Sequence, residues 1–381
     1  MSYPSPFSTR YGSKEMRALW SELAKRRAWR RVWVAVAEAQ SAAGLVTPEQ
    51  VDELRLHAQD IDLDRAAEIE AEIGHDLRAE LRTFAEQCPA GGSVLHWGLT
   101  SADIQDNAEI MRQKAGLSML LEQLRAVLLL FGERIDETSE KPVMGFNHFQ
   151  PTEPTTLGYR LSIYANELLE HFDALARLHG RLRGKGIRGA VGTSAAFVEM
   201  LAGSEVTPEM LETSVMQALG IEAHPVSTQT YPRVQDYTLL TQLAAMAASL
   251  HKFALDLRLM QSPGFGGAQE PLDSKRVGSS AMPFKRNPEQ AEKICSLARL
   301  VSAQAAVAWS NAAEAGLERT LDDSANRRII IPEAFLAVDE MLQASGNILR
   351  ELRYEPSPAP DPLVTFGPFA ATERVLTAAV K

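Results

Sequence analysis

The sequence predicts an all-α fold organised around a long central helix bundle, and three observations carry that reading. Leu239, Leu243, Met246, Leu250, Phe253, Leu257 and Met260 recur at alternating four- and three-residue steps, the period of one helix face turned toward a core. The periodic stretches run for roughly 25 to 35 residues, beyond the about 11 to 12 of an ordinary globular helix, which suits a bundle whose helices also pack across subunits. No segment shows sustained strand alternation.

Taken in order, residues 1–92 read as an N-terminal helical domain that ends at Gly91-Gly92-Ser93. A central bundle domain then spans 93–353. Its first long helix carries Leu117, Leu121, Leu124, Leu128, Phe131 and Ile135 on one face. A second runs from Pro154 to about Arg183, with Leu157, Leu161, Tyr164, Leu168, Leu175 and Leu178 inward. Alanine-rich faces, Ala244-Ala245 with Ala247-Ala248 and Ala303 to Ala308, let helices approach closely. From Tyr354 to Pro368 the chain is rich in Pro and Gly and is expected not to be helical. A last helix is expected from about Ala370. It stops at Lys381 as though the C-terminal domain, 354–381, were short or truncated.

Composition narrows the function classes. The formal net charge of −10, from 49 acids against 39 bases, gives no long-range attraction to nucleic acid or to an anionic membrane. Any anionic substrate must be met by a local cluster of bases. Cys88 and Cys295 lie far apart in no metal-ligand spacing, which fits a reducing compartment. Met1-Ser2-Tyr3-Pro4 does not open a secretory leader, and the apolar stretches are broken by charged or amide residues short of a membrane span, so the expected location is cytoplasmic. The histidines are dispersed, and no zinc-protease, EF-hand or phosphate-loop spacing occurs, so neither metal nor organic cofactor is expected.

The segment richest in chemistry is Gly278-Ser279-Ser280-Ala281-Met282-Pro283-Phe284-Lys285-Arg286-Asn287-Pro288. Hydroxyls, exposed amides and cationic donors in one loop are what a developing oxyanion needs, although Gly, Ser and Pro also make ordinary turns. Gly264-Phe265-Gly266-Gly267 is glycine-rich but lacks a following Lys-Ser/Thr, and reads as a hinge.

The first of these segments closely resembles the signature loop of the fumarase/aspartase superfamily, whose members eliminate fumarate from a succinyl compound. The run from Glu318 to Arg328, ERTLDDSANRR, narrows the resemblance to the branch that splits succinyl-purine nucleotides. Arg10-Tyr11, His75-Asp76, Thr100-Ser101 and Gly145-Phe146-Asn147-His148-Phe149-Gln150-Pro151 resemble that branch too. Argininosuccinate lyases and carboxymuconate cycloisomerases share the superfamily, but Arg10-Tyr11 and the ERTLDDSANRR run speak against them. A catalytically silent protein on the same fold is disfavoured by Ser279, His148, Glu292 and Lys285 standing together.

The implied reaction removes a weakly acidic proton beside a carboxylate while a C–N bond breaks, so it needs a base, an acid and donors for the dianion formed on the way. The resemblance implies Ser279 as the base and His148 as the acid. It also makes Glu292 the carboxylate that orients His148, against the alternative of a solvated helix charge, and His75 an assisting residue. The substrate carries two carboxylates and a phosphate. Arg10, Tyr11, Arg319, Ser324 and Arg328 are implied to hold the phosphate. Lys285, Asn287, Thr100, Ser101 and Gln229 are implied to take the succinyl carboxylates or the purine, and Asp76 lies beside them as a binding residue. Arg233 and Asp236 either support the same wall or form a surface ion pair.

Asn147, Phe284 and Lys293 depart from the residues usual at those places, and none removes a proton-transfer group. The resemblance further implies a homotetramer with sites shared between three chains, a core of about twenty helices, and a closing lid from Ser262 to Ser280.

Overall fold

The computed structural model describes residues 4–271, 285–354 and 361–381. Short helices come first: α1 (Pro6–Thr9), α2 (Lys14–Leu19), α3 (Glu22–Ala42), α4 (Pro48–His57), α5 (Leu63–Ile73) and α6 (Asp76–Gln87). Side-chain caps start several of them. The Ser21 hydroxyl accepts the Ala24 N–H at 3.2 Å, and Thr47 and Gln50 cap each other reciprocally ahead of α4, with Pro48 at the first helical position, where its missing N–H costs nothing.

The bundle consists of α7 (Ser101–Thr138), α8 (Leu157–Arg181), α11 (Val234–Gln261), α12 (Glu289–Ala313) and α13 (Asp322–Arg350). Between α8 and α11 lie α9 (Ala195–Met200) and α10 (Pro208–Leu219), and two-residue strands β3 (Arg183–Gly184) and β4 (Glu222–Ala223) pair in parallel. Leu239, Leu243, Met246, Leu250, Phe253 and Leu257 of α11 are all fully buried, as their spacing predicts. On α7 the buried stripe runs through Leu117, Leu120, Leu124, Val127 and Phe131, with Leu121, Leu128 and Ile135 packed at its margin. That stripe is wider than expected because α7 touches both α8 and α13. α7 also reaches the length and apolarity of a membrane span, contrary to expectation, but its apolar stripe is spent on this core.

The helices α11, α12 and α13 alternate in direction. Gln261, at the end of α11, donates to the Arg286 carbonyl just before α12, while Asn311 at the end of α12 exchanges hydrogen bonds with Asn326 at the start of α13. The bundle therefore has two ends, separated by the 25 residues of α12, about 37 Å at 1.5 Å per residue.

Two segments depart from the sequence expectation. β1 (Pro142–Asn147) and β2 (Gln150–Thr156) form an antiparallel hairpin where no strand was expected and where helix was expected from Pro154. The register slips at Gly145, where any Cβ would lie 2.6 Å from the Glu153 carbonyl, so alternation is broken within the strand itself. Near the C-terminus, α14 (Pro362–Ala370) replaces the later part of the run expected to be non-helical up to Pro368, while α15 (Thr372–Val380) is the last helix expected from about Ala370. Asp361 caps α14 through the Leu363 N–H at 2.9 Å, and Pro362 occupies the tolerated first position.

Candidate active site

One end of the bundle gathers the starts of α7, α11 and α13. His75 caps α6, because Gly74 ends α5 in the left-handed conformation (φ 66°) and turns the chain. Its Nδ1 accepts the Arg78 N–H at 3.3 Å. The next residue, Asp76, is buried, with Arg328 Nη1 2.7 Å from its carboxylate. Burial pushes the Asp76 carboxyl up, but Arg328, Lys25 and the Leu77 N–H together outweigh it and hold it below the usual carboxylate range. Asp76, Arg319, Ser324 and Arg328 line one cavity of about 160 Å³ together with Lys25 and Arg112.

Behind this wall lies a largely buried charge cluster. Arg233 donates to Asp106 at 3.0 and 3.2 Å and to Asp323 at 2.6 Å, while Arg327 donates to Asp236 and to the Tyr231 hydroxyl, both at 2.7 Å. Arg233 and Asp236 are therefore not a surface pair. They brace α11 against α7 and α13, each through partners on another helix. The cost of burying these ions is offset only because their forks are filled. Arg319, 3.9 Å from Asp323, is left with unfilled donors, and burial pushes its guanidinium down. It also borders cavities of about 630 and 600 Å³, the second lined by Gln229, whose N–H donates to the Glu318 carbonyl at 3.4 Å.

Thr100 and Ser101 begin α7, one turn before Gln105 and Asp106 of the cavity wall. The Thr100 N–H donates to Asp103 Oδ2 at 2.8 Å, and the Asp103 carboxylate also takes Lys185 and the N–H groups of Arg188 and Gly189. Just upstream is His96, a residue the sequence reasoning missed. Its φ is 71°, and its Nδ1 accepts the Trp33 indole N–H at 3.2 Å. Burial, then the charges of Arg78 and His75, lowers its pKa to about 4, so it is neutral and carries its proton on Nε2 at ordinary pH. The available signal was a histidine directly ahead of a helix cap.

Arg10 and Tyr11 are not in the wall of the 160 Å³ cavity. The Gly12 N–H donates to Glu340 at 3.0 Å and Gly12 packs on Leu336, which places this segment about 12 Å further along α13 than Arg328.

The opposite end holds the other group. His148 sits at the exposed tip of the β1–β2 hairpin, and both His148 (φ 55°) and Phe149 (φ 59°) are left-handed, a two-residue turn that usually takes Asn-Gly. Each costs about 1–2 kcal/mol relative to glycine. Lys285 and Asn287 are exposed just ahead of α12. The α12 start is fastened by the buried Glu270, whose carboxylate accepts from Gln290 N–H (3.2 Å) and Ala291 N–H (2.5 Å). Glu292 lies half-exposed, with Arg258 at 3.9 Å, and no hydrogen bond or ion pair joins it to His148 among the described residues. Ser279, Ser280 and Phe284 lie outside the described residues, as does the second half of the expected lid, 272–280.

A lyase family model matches residues 10–303. The adenylosuccinate lyase of Saccharomyces cerevisiae is 36% identical over all of this chain and 80% of its own length, and that of Pyrococcus abyssi is 34% identical over 92% of this chain and 77% of its own. The chain belongs to the adenylosuccinate lyase family. Solved structures of a fumarate lyase from Mesorhizobium sp. BNC1 (TM-score 0.80, 21% identical, 93% of this chain and 78% of that one) and a 3-carboxy-cis,cis-muconate lactonizing enzyme from Pseudomonas putida (0.82, 22%, 92% and 77%) share its fold. In this adenylosuccinate lyase family chain, the wall that carries Arg319 and Arg328 and the His148 hairpin stand at opposite ends of one bundle.

Proposed function

We propose that the protein cleaves adenylosuccinate to fumarate and AMP by β-elimination, and that it acts in the same way on the imidazole analogue SAICAR, giving AICAR. The carrying observation is the cavity in which Arg319, Ser324 and Arg328, all from the ERTLDDSANRR run, meet Asp76. Arg319 has donors to spare, and two guanidinium groups with a hydroxyl suit a phosphate monoester. Arg10 and Tyr11, about 12 Å further along α13 than Arg328, are assigned to that grip by the sequence resemblance alone. Thr100, Ser101, Lys285 and Asn287 take the succinyl carboxylates, and Gln229 the purine.

In this reading Ser279 removes the proton from the carbon beside the carboxylate, and His148 protonates the departing nitrogen. Glu292 orients His148, and His75 assists. The reaction gains most from donors that meet charge only as it develops, so Lys285 and the hydroxyl-bearing loop belong near the carboxylate that becomes a dianion. Those assignments rest on sequence resemblance.

The two-ended layout supports the homotetramer with three chains at each site that the resemblance implies. About 37 Å of α12 separates the ends, so one chain supplies the nucleotide wall and others supply the acid and the loop. Exposed apolar residues on bundle helices, Tyr159, Ile163 and Leu169 on α8 and Trp309 on α12, support burial between copies. The three-part division at 1–92, 93–353 and 354–381 and a cytoplasmic location are parts of the same proposal.

The test is incubation of the purified protein with adenylosuccinate, with fumarate and AMP identified directly and Ser279→Ala and His148→Ala as controls. Refolding a mixture of His148→Ala and Ser324→Ala subunits should restore about a quarter of wild-type activity if each site draws on different chains. No restoration would place both residues on one chain's site.

A further inference from the structure

The hairpin that carries His148 presents a physical problem: two consecutive left-handed residues, neither of them glycine, at an exposed tip with Phe149 67% exposed. Such a turn persists only where something outside it over-determines its shape. Among the described residues one side chain meets the aromatic groups on both sides of His148. The Phe265 ring lies 4.9 Å from Phe146 at 64°, and 6.0 Å from Phe149 at 75°, both edge-to-face.

Phe265 is itself well anchored. It is the only large residue in Gly264-Phe265-Gly266-Gly267, where Gly266 (φ 66°) and Gly267 (φ 118°) turn the chain inward. Directly after that turn, Ala268 is fully buried, Gln269 exchanges backbone hydrogen bonds with Arg353 at 2.7 and 3.0 Å, and Glu270 caps α12. The segment read as a hinge from sequence is thus strapped to the bundle on its C-terminal side. A ring held this way can impose a position on the hairpin.

We propose that Phe265 is a positioning residue for the acid: by clamping Phe146 and Phe149 it holds the His148 turn in its left-handed shape and registers it to the start of α12, where Lys285 and Asn287 stand. This rests on the reading of His148 as the acid. A sub-ångström to ångström displacement of an acid is enough to cost catalysis without touching substrate affinity.

The experiment uses the full-length protein with Phe265→Ala, Phe265→Leu, His148→Gln and the double variant. Phe265→Ala is expected to lower kcat by about 10- to 100-fold with KM within about twofold. Phe265→Leu, which keeps bulk, should recover part of the loss. In the His148→Gln background Phe265→Ala should cost nothing further, because the group it positions is gone. A purely structural role would add in both backgrounds. Unchanged kcat in Phe265→Ala, a rise in KM alone, or additivity in the double variant overturns the inference while leaving the acid assignment intact. Full activity of His148→Gln overturns the acid assignment instead. A crystal structure of Phe265→Ala reads the turn independently of turnover: loss of positive φ at His148 and Phe149 is expected, and an unchanged turn sinks the proposal. Should Phe265→Ala not fold, Phe265→Leu and Phe146→Leu are scored by the same kcat, KM and double-variant criteria.

Discussion

The two ends of the bundle solve opposite problems. At the end where α7, α11 and α13 begin, Arg233 is buried and Arg327 partly so, and their forks are filled by Asp106, Asp323, Asp236 and Tyr231, so the wall behind Arg319 and Arg328 is rigid and electrostatically committed. At the other end His148 stands exposed on a strained turn, and Lys285 and Asn287 are exposed just ahead of α12. The first end is built before substrate arrives. In the proposed assembly the second presents groups whose partners come from another chain and a substrate. The difference predicts that substitutions at the two ends separate stability from activity.

The largest effect is expected at the exposed end. His148→Gly should lower kcat by about 10²- to 10⁴-fold, the usual worth of a general acid. Stability should rise by up to about 1 kcal/mol, because glycine adopts φ 55° without the left-handed cost. Steady-state kinetics alongside urea unfolding measure both. A variant that loses stability and activity together would break the comparison, since it would make the turn a structural element.

At the braced end the expectation reverses. Arg233→Met leaves Asp106 and Asp323 buried without their partner and should cost about 3–5 kcal/mol in urea unfolding. A loss under about 1 kcal/mol would mean that water enters to replace the guanidinium, and that this end is less committed than its geometry implies.

These contrasts also explain how much could be read from the sequence. The seam from Leu239 to Met260 was legible because burial on a helix imposes a period, and every member is buried. The hairpin was not, because its pairing is set by a turn at His148-Phe149 and broken by the slip at Gly145, neither of which leaves an alternating pattern. The segment after Asp361 was misread because proline was counted as a breaker at a position where a helix accepts it. Whether Arg233 and Asp236 supported the site wall or formed a surface pair stayed open in the sequence because their partners lie on other helices, far away in sequence. The motif segments were recognisable one by one, but which end each occupies depends on helix direction, which no motif encodes.

A smaller effect belongs to His96, which the braced end keeps neutral. Its folded pKa of about 4 lies below the ordinary 6.5, so between these values the unfolded chain binds the proton that the folded chain refuses. The stability gained by keeping it neutral is fully present above pH 6.5 and is lost as pH falls toward 4, by up to about 3 kcal/mol. Unfolding free energies of wild type and His96→Asn across pH 7 to 4 should converge by that amount. Parallel curves would show that burial does not hold the ring in its neutral form.

The smallest effect tests whether Arg328 is committed like Arg233 or held ready for a ligand. Its side chain is 51% exposed, so its pairing with Asp76 is screened and worth about 0–1 kcal/mol despite the 2.7 Å separation. Asp76 has a depressed folded pKa, so the stability it contributes is present above the ordinary carboxylate value and lost as pH falls through the folded one. In Arg328→Gln, burial opposes only Lys25 and the Leu77 N–H, the Asp76 pKa moves up, and acid unfolding should begin at a higher pH with little change at neutrality. If the neutral-pH stability fell by as much as in Arg233→Met, Arg328 would be a brace. Little change at neutrality together with weakened AMP binding would mark Arg328 as a guanidinium that the fold positions and leaves available to phosphate.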